Sequence, residues 1–188
     1  MKNLIVVIAL VLVSKFGFAQ KQTLALDEHN KYIYYQTAEQ PGASAHDLYT
    51  RCYAGLSKTY TPKEIKGKPD SQILVNSKVV LYAGLTKHED GQVTYQLHTE
   101  FKDGKYRYWL SDFVFTPYQR DRYNNYVPIA GKELPLEQAK GKVDKSSLDN
   151  YMDQLMKHCK QVGENLKQFA ANAQKQEEKA QKVDTHKW

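Results

Sequence analysis

The chain has 188 residues, a formal net charge of +6 and 14 tyrosines. This length fits one compact domain with tails, and the aromatic residues are sufficient for one core. Lysine and arginine alternate with aspartate and glutamate instead of forming one basic stripe, which argues against a nucleic-acid-binding function.

The first twenty residues have the features of a secretory signal. Lys2 precedes an apolar run from Leu4 to Val13, and the small residues Gly17 and Ala19 follow at signal-peptidase spacing. A run of about ten apolar residues is too short for a membrane-spanning helix, which needs roughly twenty. We therefore predict a cleaved signal peptide over residues 1–20, a periplasmic or secreted location, and no membrane span after cleavage. Loss of the two lysines in this segment lowers the charge from +6 to +4.

The next segment predicts a strand and then a helix. Residues 31–38 are rich in β-branched and aromatic side chains between turn-forming residues, which is typical of a strand. Ser44–Asp47 can form a capping box, and apolar residues then recur at helical spacing as far as Tyr60, before Pro62. Gly55 within this helix implies either a close packing partner or simple tolerance of its cost.

Four further strands are predicted in the middle of the chain. Residues 71–75 and 78–85 form two of them, separated by a tight turn at Asn76–Ser77. The clean alternation that begins at Val93 predicts a hairpin, with Asp103–Gly104 as a two-residue type I′ turn.

Counting outward from this turn predicts the register of the hairpin and therefore its two faces. A slip of one residue would exchange the faces. The core face is predicted to hold Val93, Tyr95, Leu97, Phe101, Tyr106, Tyr108, Leu110 and Val114. The outward face is predicted to hold Gln96, His98, Glu100, Arg107, Trp109, Ser111 and Phe113.

The last part of the chain predicts a long loop, a helix and a tail. An irregular stretch rich in tyrosine and arginine runs from Pro117 to about Lys145, and a helix with one apolar stripe follows from Ser146 to Phe169. Residues 173–188 predict a flexible polar tail. Residues 21–172 thus predict a single α+β domain in the order strand, helix, four strands, helix, with an antiparallel sheet of about five strands and both helices on one face.

Several short motifs carry a resemblance to a known family. In chain order they are Leu24–Glu28 (LALDE), Lys31–Tyr35 (KYIYY), Pro41–Ser44 (PGAS), Leu48–Tyr49 and Phe101–Arg107 (FKDGKYR). They resemble a family of exported Gram-negative bacterial domains of unknown function, of the DUF4468 type, with a TATA-binding-protein-like (TBP-like) fold. The resemblance runs from about Leu24 to Tyr118, and Ala25 departs from it where proline is expected. It implies a fold and an exported location but no catalytic residues, and sharing a fold with a DNA-binding protein does not transfer that function.

The motifs of common enzyme classes are missing from the sequence. There is no Gly-x-Ser-x-Gly, and the histidines show neither HExxH spacing nor a cysteine cluster for zinc. The predicted register places Glu100 and Asp112 on opposite faces, which does not suit a glycosidase carboxylate pair. We therefore predict a protein that is not an enzyme and uses no cofactor or metal.

Two alternatives remain for the cysteines, Cys52 and Cys159, each of which lies in the apolar stripe of a helix. The exported location permits a disulfide if the two helices bring their Cα atoms within about 4.4–6.8 Å. The other alternative is a pair of buried thiols that pack as small hydrophobic side chains.

A binding surface is the function that the sequence favours. The candidate residues combine aromatic rings with arginine, as protein interfaces do; they are Arg107, Trp109, Phe113, Tyr118, Arg120, Arg122 and Tyr123. Alternatively, the loop folds over the sheet and its rings complete the core. A protein or cell-envelope partner is favoured over a small molecule because a sheet face is flat. A glycan-binding module, in which the rings form a platform for sugars, is the second hypothesis, and a low-activity hydrolase is the third.

Overall fold

An antiparallel sheet with two helices forms the computed structural model, which describes residues 23–172. The predicted signal peptide and polar tail lie outside the described residues. The strands are β1 (Ala25–Leu26), β2 (Tyr32–Glu39), β3 (Ile65–Lys68), β4 (Gln72–Tyr82), β5 (Glu89–Lys102), β6 (Lys105–Arg120), β7 (Tyr126–Pro128) and β8 (Leu134–Pro135). The helices are α1 (Ala45–Thr59) and α2 (Lys145–Ala171). The predicted α+β fold is confirmed.

The main sheet has the strand order β1-β2-β6-β5-β4-β3, with β7 and β8 paired to β6 beyond the end of β2. Both helices contact the same face of this sheet, and their apolar stripes join the inward side chains of the strands in one core. The opposite face, called the open face below, has no helix packed on it among the described residues. The fold therefore has two layers, with one side of the sheet turned to solvent.

The predicted turn at Asn76–Ser77 is wrong, because β4 is one continuous strand. Asn76 pairs with Gln96 and Ser77 with Tyr95, so both residues continue the ladder with β5. The Ser77 hydroxyl donates to Glu64 at 3.0 Å, which holds this segment against the chain that leads into β3. The next four strands after α1 are β3, β4, β5 and β6, because β3 precedes β4 in the chain. The β3 sequence of lysine and glycine residues contains little strand signal.

The hairpin register predicted from the Asp103–Gly104 turn is confirmed, but the predicted turn type is wrong. Gly104 has a φ of +74°, whereas Asp103 is not among the residues with positive φ, as a type I′ turn would require. Asp103 instead caps α1, because its carboxylate accepts the Ala45 N–H at 2.8 Å. Gly104 accepts the Gln40 N–H and donates to the Ala43 carbonyl, both at 2.8 Å. The turn is thus fixed to the beginning of α1.

An extra residue in β6 changes the predicted faces after Ser111. Ser111 pairs with Gln96 and Val114 with Thr94, so β6 contains one more residue than β5 over this interval. The extra residue forms a β-bulge at Asp112, which has a left-handed backbone conformation with φ +52°. As a result, the predictions for two residues are wrong. Phe113 lies in the core, and Val114 is half-buried on the open face.

Both helices begin with side-chain caps and pack closely. The Ser44–Asp47 capping box predicted for α1 is present, and Asp144 caps α2. A Cβ atom at Gly55 would lie 2.3 Å from the Phe169 ring of α2, so a close packing partner explains this glycine. Cys52 and Cys159 are free and buried, and burial raises the pKa of each thiol to about 12. The buried-thiol alternative is the one that the structure contains.

Three hydrogen-bonded polar side chains lie within this core. The His158 Nε2 is 2.9 Å from the Tyr95 hydroxyl, which is also 3.3 Å from the Tyr60 hydroxyl. Burial lowers the pKa of His158 below its usual 6.5. The folded protein therefore binds this proton more weakly than the unfolded chain does.

We expect this histidine to make the fold less stable in acid. The stability that it contributes is present above about pH 6.5 and is lost as the pH falls through its lower folded-state pKa. Replacing His158 with glutamine, which can still hydrogen-bond to Tyr95 but does not titrate, should reduce this loss. Urea unfolding at about pH 7.5 and about pH 5 measures it. An identical loss in the variant and the wild type would contradict the assignment to His158.

Candidate functional site

A row of three rings crosses the open face of the sheet. Tyr35 of β2, Trp109 of β6 and His98 of β5 lie side by side because β2–β6 and β6–β5 pairing places them in register. The His98 and Trp109 rings are stacked, with centroids 4.8 Å apart and an angle of 3° between their planes. The Tyr35 and Trp109 rings are also stacked, at 6.4 Å and 29°. We call Tyr35, Trp109 and His98 the aromatic row.

An ion pair lies beside the aromatic row. Arg107 Nη2 is 2.5 Å from Glu100 Oε2, and the register of the hairpin places these two residues opposite each other. The Arg107 guanidinium carbon also lies 5.6 Å from the centre of the Trp109 ring. The pair is accessible to solvent, so it contributes little to stability. The pair presents one positive and one negative group next to the aromatic row.

His98 supplies the imidazole ring of the row. Burial lowers the pKa of His98, while the nearby carboxylates Asp112 and Glu100 act in the opposite direction. Its Nε2 is 3.3 Å from Gln96 Oε1. A half-buried imidazole stacked on an indole is suited to packing and hydrogen bonding. Neither neighbour places it as a general base toward a nucleophile.

Two shallow hollows adjoin the row. One, of about 560 Å³, lies at the turn end of the sheet beside Glu100 and Arg107, and the other, of about 450 Å³, lies along Thr94 and Asp112. Two of their carboxylates have cationic partners, since Glu100 pairs with Arg107 and Asp112 with Lys31 at 2.8 Å. A third, Glu64, accepts hydrogen bonds from Thr61 and Ser77. The extra residue in β6 is a β-bulge at Asp112, and it places Asp112 in the hollow beside the open-face residues Thr94 and Val114. Asp112 and Glu100 both act on the pKa of His98, so the prediction that the sheet separates these two carboxylates is wrong.

The structure divides the predicted site residues among three places. Arg107 and Trp109 lie on the open face, and Phe113, which we predicted beside them, lies in the core with 1% of its surface exposed. Strand β6 rises about 3.3 Å per residue, so Arg120 lies roughly 30 Å or more from Trp109. The seven candidate residues therefore do not form one continuous site.

The remaining candidate residues lie toward the far end of β6. The Tyr118 hydroxyl donates to Gln92 at 3.0 Å on the open face. Arg120 donates to the Tyr126 hydroxyl and to Asn124, so its guanidinium is used within its own hairpin. Arg122 and Tyr123 are exposed at the tip between β6 and β7, where the Arg122 guanidinium carbon lies 4.9 Å from the centre of the Tyr123 ring. This loop does not fold over the sheet, and its tip residues do not complete the core.

Tyr35 is the site residue that the sequence analysis missed. It appears in the predicted first strand, and alternation alone does not show which ring it would meet. Its partner Trp109 is supplied by the pairing of β2 with β6. A strand pairing between segments so distant in the chain is not specified by local pattern.

Residues 23–172 contain neither a metal-binding cluster nor a membrane-spanning helix. No group of three or more histidine, cysteine, aspartate or glutamate side chains in that range is arranged to hold a metal ion. Neither of the two helices there is both long and apolar enough to cross a bilayer.

Comparison with known proteins agrees with the predicted resemblance. Residues 34–116 match the sequence profile of the family described as "Domain of unknown function (DUF4468) with TBP-like fold". No curated protein matches the chain in sequence. Two solved structures are similar to it in fold.

One of these structures is a TBP-like protein from Parabacteroides distasonis ATCC 8503. It is 17% identical, with a TM-score of 0.63 over 81% of this chain and 99% of that chain. The other is a DUF4468 family protein from Bacteroides ovatus ATCC 8483, 12% identical, with a TM-score of 0.55 over 80% of this chain and 91% of that chain. These similarities show the fold.

Proposed function

We propose that this domain, which is of the DUF4468 type with a TBP-like fold, is an exported binding module that holds a protein partner of the cell envelope on its open sheet face. The observation that carries this proposal is the aromatic row of Tyr35, Trp109 and His98, which lies on the side of the sheet without helices. Aromatic residues and arginine are enriched at the centres of protein interfaces. The secretory signal features of residues 1–20 support the envelope location.

The geometry of the rings favours a protein partner over a glycan. Stacking on a sugar requires a free ring face, whereas the Trp109 ring has His98 on one side and Tyr35 on the other. The row therefore presents ring edges to solvent, as a ridge on a nearly flat surface. A ridge between shallow hollows suits the side chains of a polypeptide, and the Arg107–Glu100 pair offers both charge signs for hydrogen bonds across the interface.

Photo-crosslinking in the exporting cells tests this proposal. We expect a photoreactive amino acid at Thr37, an exposed open-face position opposite Arg107, to form a defined protein adduct. The same amino acid at Lys160, which is exposed on α2, should not form that adduct. Replacing Trp109 with alanine should lower the affinity for the identified partner about thirtyfold or more. Central tryptophans contribute about 2 kcal/mol or more to the binding free energy of interfaces.

Thermal unfolding of each variant checks that the fold is retained. Equal adducts at Thr37 and Lys160, or unchanged affinity after loss of the Trp109 ring, would contradict the proposal. Binding to a glycan array that disappears with the same substitution would favour the glycan hypothesis instead.

A further inference from the structure

One long edge of the main sheet has no neighbouring strand among the described residues. Strand β1 pairs only with Tyr32 and Ile33, at the beginning of β2. The pairing stops there, because Thr23, the residue that would next face Tyr35, lies outside the ladder. The outer side of residues 35–39 is therefore left uncovered over about 16 Å of extended chain.

The pairing on either side of β2 shows which backbone groups point outward along this edge. The Asp27 N–H donates to the Lys31 carbonyl on the side of β1, whereas the Gln40 N–H donates to the Gly104 carbonyl on the side of β6. The backbone groups of successive residues alternate between the two sides of a strand. Three residues thus direct their N–H and C=O groups outward, where no partner lies within residues 23–172; they are Tyr35, Thr37 and Glu39. We call these three residues the β2 edge.

The opposite edge of the sheet is protected. Strand β3 covers the beginning of β4, and the Asn76 N–H donates to the Glu64 carbonyl just beyond it. Helix α2 closes the end of β4, where the Asn150 and Gln154 side chains hydrogen-bond to the backbone of Tyr82. Lysine, proline and bulges are other features that keep an edge strand from pairing with a second chain. The β2 edge contains no lysine or proline, and no bulge interrupts the pairing of β2 with β6.

We propose that the β2 edge binds an extended segment of a partner polypeptide, which pairs with β2 as an added strand of the sheet. This inference rests on the proposed function and specifies how the partner is held. A polypeptide backbone supplies N–H and C=O groups at the spacing that such an edge requires. The Tyr35 ring stacks on Trp109 on the open face, so alternate side chains of the added strand extend the aromatic row outward. Beside Tyr35 we expect an aromatic or β-branched side chain, because such cross-strand pairs stabilise a sheet.

A partner polypeptide fits the β2 edge better than a second copy of this chain does. Two copies could pair only over residues 35–39, because β1 already covers Ile33 and Pro41 has no N–H to donate. Five paired residues alone bury less than the roughly 800 Å² that a stable interface needs on each side. A partner that also covers the aromatic row adds the contact area of the open face to the strand pairing.

Selection from a library of random linear peptides displayed on phage tests this proposal on the mature protein recovered from cells that export it. We expect peptides that bind the wild type but bind Thr37→Pro about tenfold or more weakly, because proline removes the outward N–H and its ring obstructs the added strand. Proline is tolerated where the N–H of an edge strand faces solvent, and thermal unfolding checks that this variant folds. Thr37→Val is the matched control, because it keeps the backbone N–H and should bind within about twofold of the wild type.

Amide hydrogen exchange of the wild type gives a second readout that needs no variant. A bound peptide should slow the exchange of the β2-edge N–H groups about tenfold or more, while those of Gln36 and Ala38, which face β6, change little. Failure to select any peptide, equal binding of the selected peptides to Thr37→Pro, or unchanged exchange at the β2 edge would overturn the proposal.

Two further outcomes would also overturn strand addition, each for a different reason. Slow exchange at the β2 edge in the free protein would show that the edge is already covered, and analytical ultracentrifugation would distinguish a second copy from another segment of the same chain. An envelope partner that needs the Trp109 ring but binds Thr37→Pro unchanged would support the proposed function and remove strand addition alone.

Discussion

Replacing Phe113 with alanine is expected to lower the free energy of unfolding by about 3–5 kcal/mol, the usual cost of removing a buried phenylalanine ring. Phe113 is 1% exposed and lies in the core between the sheet and the helices. A domain of this kind has a total stability of only about 5–15 kcal/mol, so this change removes a large part of it. Urea unfolding followed by circular dichroism measures the loss, and the slope of the transition shows whether the variant still unfolds in one step.

Val114→Ala is the matched control for this prediction. Val114 is half-buried on the open face, so its truncation should cost no more than about 1 kcal/mol. The two variants thus test the position of the bulge at Asp112, because the uninterrupted alternation of β6 would exchange the two residues. A larger loss for Val114 than for Phe113 would show that the bulge is misplaced.

The bulge marks the point at which local sequence stops predicting the face of the hairpin. From Asp103–Gly104 to Ser111, alternation and the two-residue turn determine which side chains point inward, and the structure agrees. The extra residue, Asp112, adopts a left-handed conformation that aspartate tolerates better than most residues do. No glycine marks the position, so the irregularity leaves no clear signal in the sequence. Its cause is tertiary, since Phe113 and Phe115 both reach the core only if the strand shifts by one residue.

The candidate site was predictable to a similar extent. Arg107 and Trp109 follow from the hairpin register, and so does the ion pair with Glu100. Tyr35 joins them through a pairing between distant segments, and the separation of Arg120 from Trp109 follows from the unbroken length of β6. Residue types therefore selected the candidate residues, while their division between the aromatic row and the loop after β6 required the three-dimensional arrangement.

The helices were predicted more completely than the strands. Caps and apolar periodicity are local signals, and they located α1 and α2 to within a residue or two. Strand β3 has no comparable signal, because Gly67 and its lysine neighbours are typical of loops. Its extended form depends on its partner β4 and on contact with α1, where a Cβ at Gly67 would lie 2.2 Å from the Tyr49 hydroxyl.

Gly163→Ala is expected to destabilise the protein by about 2 kcal/mol, although alanine is the better helix former. The added Cβ would lie 2.1 Å from the hydroxyl oxygen of Tyr108, whose ring is 2% exposed in the core. Overpacking of this severity costs about 3 kcal/mol, the upper part of its usual range, because neither the ring nor the helix can move freely. The gain in helix propensity offsets about 1 kcal/mol of that cost. Urea unfolding of the variant gives the net change.

A double-mutant cycle with Tyr108→Phe identifies the cause of this loss. Removing the Tyr108 hydroxyl leaves the ring carbon Cζ as the nearest atom, at 3.0 Å from the added Cβ, so Gly163→Ala should cost at least about 1 kcal/mol less in that background. Gly84→Ala serves as a control because its nearest neighbour, Asn150, is 3.8 Å away, and it should stay within about 0.5 kcal/mol of the wild type. An equal cost for Gly163→Ala in both backgrounds would mean that α2 does not approach β6 closely at this point.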